Sequence, residues 1–465
     1  MELQGKKALV LGAGRSGIAS AKFLAEHGAT VALHDKKDID SWSEEARSLK
    51  EKYGVGTIAG QLPSWLLDQI DLVVISPGVP TNTIPARYVD RKDGEVIGEV
   101  ELAYRFLKGK LVGITGSNGK TTTTSLIGEL LRNAGIETQV GGNIGTPLLN
   151  LTATATDDIW TVAELSSFQL ETIRDFHPKV AVCLNVTPNH LDRYDSFTDY
   201  AAAKHRLFMN QTSDDVAILN ADNEITRSWE KGLRAKVVLF SIKEKLERGV
   251  FLSGRELILR DGLTESVMTD RDHIFLRGLH NVENVLASLA AGFACGASVE
   301  SMRETVANFK GVEHRIEYVG EIDGIRFYND SKATSVDATL KALEAFEDEP
   351  GKITLILGGL GKNAPYAPLI PTIERTVRKL VLIGEDADNI EAQLKGSTES
   401  VRAGSMSDAV DISLAASQPG DVVLLAPACA SFDMFTGFEE RGTVFKSEVN
   451  RVLERKGKEA GLTAV

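Results

Sequence analysis

Short runs of consecutive apolar residues recur along the chain. Each is broken by a glycine or polar cluster and followed by a stretch whose apolar residues fall three and four apart. The first kind of segment reads as a strand buried on both faces, the second as a helix lying over it, and their alternation predicts parallel sheets with crossover helices. One series comprises Lys7–Leu11, a helix from Ile18 to His27, Thr30–His34 and Asp71–Ser76. A second begins at Leu111, with a helix carrying Leu126, Ile127, Leu130 and Leu131 on one face, and continues through Ile159–Ser167, Val180–Val186 and Asp215–Asn223. Residues 230–275 are charged, alternating and turn-rich, the pattern of an antiparallel excursion; Gly278–Asn284 then opens the helix Val285–Cys295. A third series runs through Ile325–Thr334, Ile353–Leu357, Lys379–Ile383 and Val422–Leu425, and the tail Lys456–Val465 is expected to fray.

The turn after Leu111 carries the sharpest chemistry. Gly116-Ser117-Asn118-Gly119-Lys120-Thr121-Thr122 lies between a buried strand and a helix. Glycines there let successive N–H groups turn inward around phosphates at the helix N-terminus. Lys120 adds a point charge for the terminal phosphates, and the hydroxyl of Thr121 or Thr122 can bind Mg²⁺. The spacing is a shortened GxxGK[ST], since the full motif needs glycine where Ile114 stands. Nucleotide triphosphate binding is the expected role. At roughly 150 residues per domain, the 465 residues divide into three. The reading is therefore α/β: a Rossmann-like domain over 1–109, a central P-loop ATPase-type domain with a mostly parallel sheet over 110–311, and a second Rossmann-like domain over 312–465.

Other segments point to the same centre. Gly12-Ala-Gly14-Arg-Ser-Gly17 with Asp35 about 20 positions on is a dinucleotide fingerprint, but the same turn can hold any nucleotide diphosphate, so the local pattern leaves nicotinamide and UDP-like ligands equally open. Gly141–Gly145 is a second glycine-rich loop, containing Asn143. Glu164 and His190 fall at the carboxyl ends of strands, where ligands of parallel sheets lie, and both are candidate Mg²⁺ ligands. Lys204 sits among small residues in a helix with no periodicity reason for a role, and Asn281 and Asn284 could meet a nucleobase or cap their helix. The net charge of −13 argues against a nucleic-acid binder, so phosphates must be held locally. The three cysteines share no spacing and read as core residues of a reducing compartment. No signal-peptide apolar region and no run near 18 apolar residues predicts membrane insertion, so a cytoplasmic protein is expected, and separately a monomer.

The runs TGSNGKTT, GGNIGTP, ELSSFQLE, NVTPNHLDRY, the AAK helix, GLHNVEN, HRIE, NDSKATS and PACASFDMF–RG, in this order over nearly the whole chain, resemble the Mur ligase family. Glu164–Glu171 is most similar to its D-glutamate-adding members. The resemblance implies an ATP-dependent, amide-forming ligase of peptidoglycan precursor synthesis. It would join D-glutamate to UDP-N-acetylmuramoyl-L-alanine through an acyl phosphate, and the first domain would hold UDP rather than NAD. It implies two Mg²⁺ ions, one on Thr121 and one on Glu164 and His190, with Lys204 carbamylated into an anionic ligand. Lys120 and Arg315 would offset the charge of the transferring phosphoryl group. Asn281 and Asn284 would face adenine and Asp330 the ribose. Thr334, Lys362, Ser431 and Phe438 would bind D-glutamate. Ser16, Lys37, Ser76, Gly78 and Asn143 would contact the UDP-sugar. Near Lys362 the family often has an acidic residue where this chain has Leu360.

Three other readings compete: a dehydrogenase, a folylpolyglutamate-type ligase, which would leave the first domain without a purpose, and a silent nucleotide-binding regulator, which would not need Lys120, Glu164, His190 and Lys204 together. With amino-acid and ATP residues in different domains, the sequence also predicts hinge closure on binding.

Overall fold

The computed structural model describes residues 1–63, 65–85, 88, 94–188, 193–276, 278–347, 349–361 and 364–462, with side chains to residue 456. His190 and Lys362 lie outside the described residues. The chain forms three sheets, in two compact units. Met1–Ile274 with Leu279–Asn308 make up the first unit, and Phe275–Gly278 with Phe309–Val465 the second.

The first unit contains two sheets. In the five-stranded one, β1 (Lys7–Leu11), β2 (Thr30–Asp35), β3 (Gly56–Ala59), β4 (Leu72–Ile75) and β5 (Glu95–Gly98) lie in the order β3-β2-β1-β4-β5, all parallel. The nine-stranded one contains β6 (Lys110–Thr115), β7 (Thr138–Gly142), β8 (Trp160–Glu164), β9 (Val180–Cys183), β10 (Val216–Asn220), β11 (Lys236–Ser241), β12 (Gly249–Ser253), β13 (Glu256–Asp261) and β14 (Thr264–Asp270). Their order is β14-β13-β12-β11-β10-β9-β6-β8-β7. Strands β6 to β12 pair in parallel, and only β12-β13-β14 is an antiparallel meander. The excursion expected over 230–275 is thus half parallel: β11, and β12 along it, extend the main sheet before the chain doubles back. Side chains of both sheets share one core, in which Val10, Val74 and Val100 pack in a common cluster with Leu165, Phe176 and Cys183.

The second unit holds β15 (Glu317–Ile322), β16 (Ile325–Asn329), β17 (Ile353–Gly358), β18 (Val377–Ile383), β19 (Glu399–Arg402) and β20 (Val422–Leu425) in the order β15-β16-β20-β17-β18-β19. Only β15 is antiparallel. Leu355, Leu357 and Leu424 on one face and Ile356, Val423 and Leu425 on the other are fully or almost fully buried, which is why these strands read as unbroken apolar runs. The last helix runs from Phe438 to Leu462, so the tail expected to fray from Lys456 is helical over most of its length.

Candidate active site

Strand order reverses at β6, which has β8 on one side and β9 on the other. Loops at such a switch point diverge and leave a crevice beyond the carboxyl ends of the strands. The phosphate loop fills that place. Gly119 caps the helix Lys120–Asn133 with φ +82°, a conformation that favours glycine, and a Cβ there would lie 2.1 Å from Asn284 Oδ1 and have to displace that amide. The loop backbone is fixed by its neighbour across the crevice: Ser117 N–H donates to the Asn185 carbonyl and Asn118 N–H to Asn185 Oδ1, at 2.9 Å each. Ser117 Oγ is 3.1 Å from the Thr187 carbonyl it donates to and 3.0 Å from the Tyr200 hydroxyl.

The sequence-predicted residues converge here. Thr121 Oγ1 donates to Glu164 Oε2 at 2.9 Å, and Asn143 Nδ2 donates to Glu164 Oε1 at 2.8 Å. Glu164, at the end of β8, is 2% exposed. Asn143, assigned from the sequence to the UDP-sugar, therefore has its amide on the carboxylate. Lys120 Nζ folds back onto the carbonyls of Gly116 (2.9 Å) and Ser117 (3.1 Å). Lys204 Nζ donates to the same Gly116 carbonyl at 2.9 Å and stands 4.7 Å from the centre of the Tyr200 ring. The Lys204 side chain is 1% exposed. Burial and the neighbouring Lys120 pull its pKa down to about 7, against weaker opposing pulls from Cys183 and Glu164. Asn281 and Asn284 lie inside the helix Leu279–Ala294 and are joined by an Nδ2–Oδ1 bond of 3.0 Å, so they do not cap it; Asn284 rests on Gly119. Among the described residues no three His, Cys, Asp or Glu side chains cluster as a metal site. Thr121 and Glu164 supply two oxygen donors, the chemistry Mg²⁺ selects, and Mg²⁺ keeps several waters of its own.

In the first sheet the glycine-rich turn is built for close approach. A Cβ at Gly17 would fall 1.8 Å from the Gly12 carbonyl oxygen, so the helix Arg15–Glu26 can pack against β1 only with glycine there. Ser76 Oγ, after β4, donates to that same carbonyl at 3.3 Å. Asp35 accepts the N–H groups of Ala13 (2.9 Å) and Lys37 (3.0 Å). Burial raises its carboxyl pKa, but those bonds and the Lys37 charge outweigh burial and leave it below the usual value. Ser16 is half-buried at the start of the helix, and Lys37 and Gly78 are exposed at the same end of the sheet.

In the second unit, Asp330 follows β16 and is 6% exposed. Burial raises its carboxyl to about 7, with Arg315 the strongest of the groups opposing the rise. The segments that carry Thr334, Ser431 and Phe438 are tied through neighbouring residues: Ala428 N–H meets the Ala333 carbonyl at 2.8 Å, and Ser331 Oγ donates to the Phe438 carbonyl at 2.8 Å. Leu360 pairs by backbone with Ala430, one residue before Ser431. Arg441, which the sequence reading gave no role, is 1% exposed and clamps these loops. It donates to Ser331 Oγ (3.0 Å) and to the carbonyls of Ser331 (2.9 Å), Cys429 (3.1 Å) and Ala430 (3.2 Å). Its one sequence signal is the Arg-Gly pair three residues after Phe438; on a helix that pattern otherwise describes a solvated face.

Three family models match this chain in order: the Mur ligase MurD-like N-terminal domain over residues 6–98, the Mur ligase middle domain over 114–292 and the Mur ligase glutamate ligase domain over 314–429. The chain belongs to the Mur ligase family. The UDP-N-acetylmuramoylalanine–D-glutamate ligase of Acidobacterium capsulatum is 48% identical over 453 residues, covering 97% of each chain. The ligase of the same name from Koribacter versatilis is 46% identical over 459 residues, covering 98% of this chain and all of the relative. Similarity at this level over the full length places the chain in the D-glutamate-adding branch of the family. Two solved structures share the fold at a TM-score of 0.55: a pseudomurein peptide ligase type C from Methanothermus fervidus (18% identity, 96% of this chain and 100% of that one) and a UDP-N-acetylmuramate-alanine ligase from Thermotoga maritima (20% identity, 97% and 99%).

Proposed function

We propose that the protein joins D-glutamate to UDP-N-acetylmuramoyl-L-alanine at the expense of ATP, a step of peptidoglycan precursor synthesis. The observation that carries the reading is the phosphate loop with Thr121, Glu164 and Lys204 gathered on it, in a chain similar end to end to ligases of that name. The substrate carboxylate attacks the terminal phosphoryl group, giving an acyl phosphate and ADP. The D-glutamate amine then attacks the carbonyl carbon, loses a proton and expels phosphate as the amide forms. Both partners of the first step are anions, so the site must offset their repulsion. Lys120 and the N–H groups at the start of the helix Lys120–Asn133 do this from the protein side. Bound Mg²⁺ supplies the remaining Lewis-acid charge. Thr121 would hold one ion; Glu164, His190 and Lys204 would hold a second.

Lys204 enters that set as its carbamate. A neutral Nζ attacks the carbon of CO₂ and releases a proton, which replaces a buried cation by an oxygen anion. A pKa near 7 leaves much of the amine neutral under physiological conditions. Lys120 and Asn118 serve the triphosphate, Asn281 and Asn284 the base, Asp330 and Arg315 the ribose and phosphates. Thr334, Lys362, Ser431 and Phe438 bind D-glutamate, and Ser16, Lys37, Ser76, Gly78 and Asn143 the UDP-sugar. Asn143 orients Glu164. Substrates of this kind are cytoplasmic metabolites, so the protein works there.

The test is phosphate release from ATP with UDP-N-acetylmuramoyl-L-alanine, comparing D-glutamate, L-glutamate and meso-diaminopimelate. Release is expected only with the D-isomer of glutamate. Release that ignores the UDP-sugar overturns the reading.

A further inference from the structure

Arg193 ties together segments that the reaction uses separately. From the loop after β9 its Nη1 donates to the Pro77 carbonyl and its Nη2 to the Val79 carbonyl, at 3.3 Å each. The guanidinium lies 4.5 Å from the centre of the Phe168 ring, and Glu171 Oε2 is 3.9 Å from Nη2. The side chain is 18% exposed. Pro77 and Val79 belong to the turn after β4, whose Ser76 reaches the Gly12 carbonyl of the glycine-rich loop. Phe168 belongs to the short helix Ser167–Leu170, which follows β8 and Glu164 directly and is held by the Ser166–Gln169 capping box. One side chain thus spans from the nucleotide-sugar turn to the short helix that follows the strand ending in Glu164. Arginine suits this place: its planar fork donates to two carbonyls from separate nitrogens while its flat face stacks on a ring, a combination the point charge of a lysine does not reproduce.

We propose that Arg193 is a positioning residue for the acceptor. It fixes the Ser76–Val79 turn at the separation from Glu164 that the substrate must span between its anchored nucleotide and its reacting carboxylate. The inference rests on the reading above. A substrate anchored at both ends binds well only where its two anchor points are preorganised at the separation it spans, so loosening the turn weakens acceptor binding before it affects the other substrates. Arg193 touches no reacting atom and acts through the turn's backbone.

The experiment is steady-state kinetics of full-length Arg193→Ala and Arg193→Lys, with circular dichroism to confirm the fold. For Arg193→Ala the KM for UDP-N-acetylmuramoyl-L-alanine is expected to rise about tenfold or more, while the KM for ATP stays within about twofold. Arg193→Lys should fall between it and wild type. An acceptor KM within about twofold of wild type, or parallel rises for acceptor, ATP and D-glutamate, overturns the proposal. If the alanine variant does not fold, the lysine variant decides by the same criterion. Failure of the underlying reading shows earlier and differently, as wild-type protein whose phosphate release does not depend on the acceptor.

Discussion

At the scale of single residues the site is defined by who holds whom. Glu164 is ordered by one hydroxyl and one amide, so the metal-ligand role proposed for its carboxylate depends on Asn143. Second-sphere partners of this kind are worth about 10–100-fold in metal affinity. Asn143→Ala is therefore expected to raise the Mg²⁺ concentration for half-maximal activity by that factor, with ATP saturation little changed when measured at high Mg²⁺. Lys204→Ala should lower ligation by more than about a hundredfold. Bicarbonate with short carboxylates should partly restore it if the working group is the carbamate, and no restoration would assign Lys204 a plain cationic role.

A second residue-scale consequence concerns pH. Glu99, at the start of the helix Glu99–Tyr104, is 2% exposed; its Oε1 accepts the Leu149 N–H at 2.9 Å while Oε2 has no hydrogen-bond partner among the described residues. Burial raises its carboxyl to about 7, from an ordinary value near 4.5. Between those values the folded chain binds more protons than the unfolded one, so stability falls as pH rises through that window, by roughly 3 kcal/mol in full. Glu99→Gln should flatten this part of the stability–pH curve and raise the melting temperature at pH 8 relative to wild type. An unchanged slope in thermal melts from pH 5 to 8 would refute the assignment.

At the scale of elements, the phosphate loop shows why a short motif can be read so far. A strand that must be buried, a left-handed residue and a helix N-terminus are each written locally. Gly119→Ala places a Cβ into Asn284 and forces φ +82° on a residue that disfavours it. We expect complete loss of ATP binding in calorimetry and a loss of stability of about 1–3 kcal/mol in denaturant melts. The excursion over 230–275 illustrates the opposite case. Its alternation was legible, but whether β11 and β12 pair in parallel with the main sheet depends on β10, whose place is set by the crossover and not by its own sequence.

At the scale of the molecule, the first two sheets form one unit because of contacts no local pattern encodes. The Glu101 carboxylate, 0% exposed, accepts the backbone N–H groups of Arg174 (2.8 Å), Asp175 (3.0 Å) and Phe176 (3.1 Å) and the Arg105 guanidinium at 2.9 Å. It thereby clamps the helix after β5 to the loop before β9. Glu101→Ala strands three backbone donors, of which the buried Phe176 N–H costs about 1–3 kcal/mol and the part-buried Arg174 and Asp175 N–H groups less. Calorimetry of this variant should show the five-stranded sheet melting ahead of the nine-stranded one; a single transition at the wild-type temperature would refute the clamp. The six-stranded sheet has apolar cores on both its faces, and residues 309–465 expressed alone should melt cooperatively.

The sequence by itself determined the alternation of strands and helices, the phosphate loop, the strand-end positions of Glu164 and the Ser76 turn, and the family. These follow from short-range patterns: apolar runs, glycines where backbones approach, and motif runs in fixed order. It did not determine that Asn143 serves Glu164, that Lys204 lies buried on the Gly116 carbonyl, or that Arg193 and Arg441 turn inward. A lysine or arginine in a helix or loop looks solvated until the fold places carbonyls around it. Burial, and the pKa changes that come with it, are properties of what packs against a residue from distant parts of the chain, and only the tertiary structure decides that.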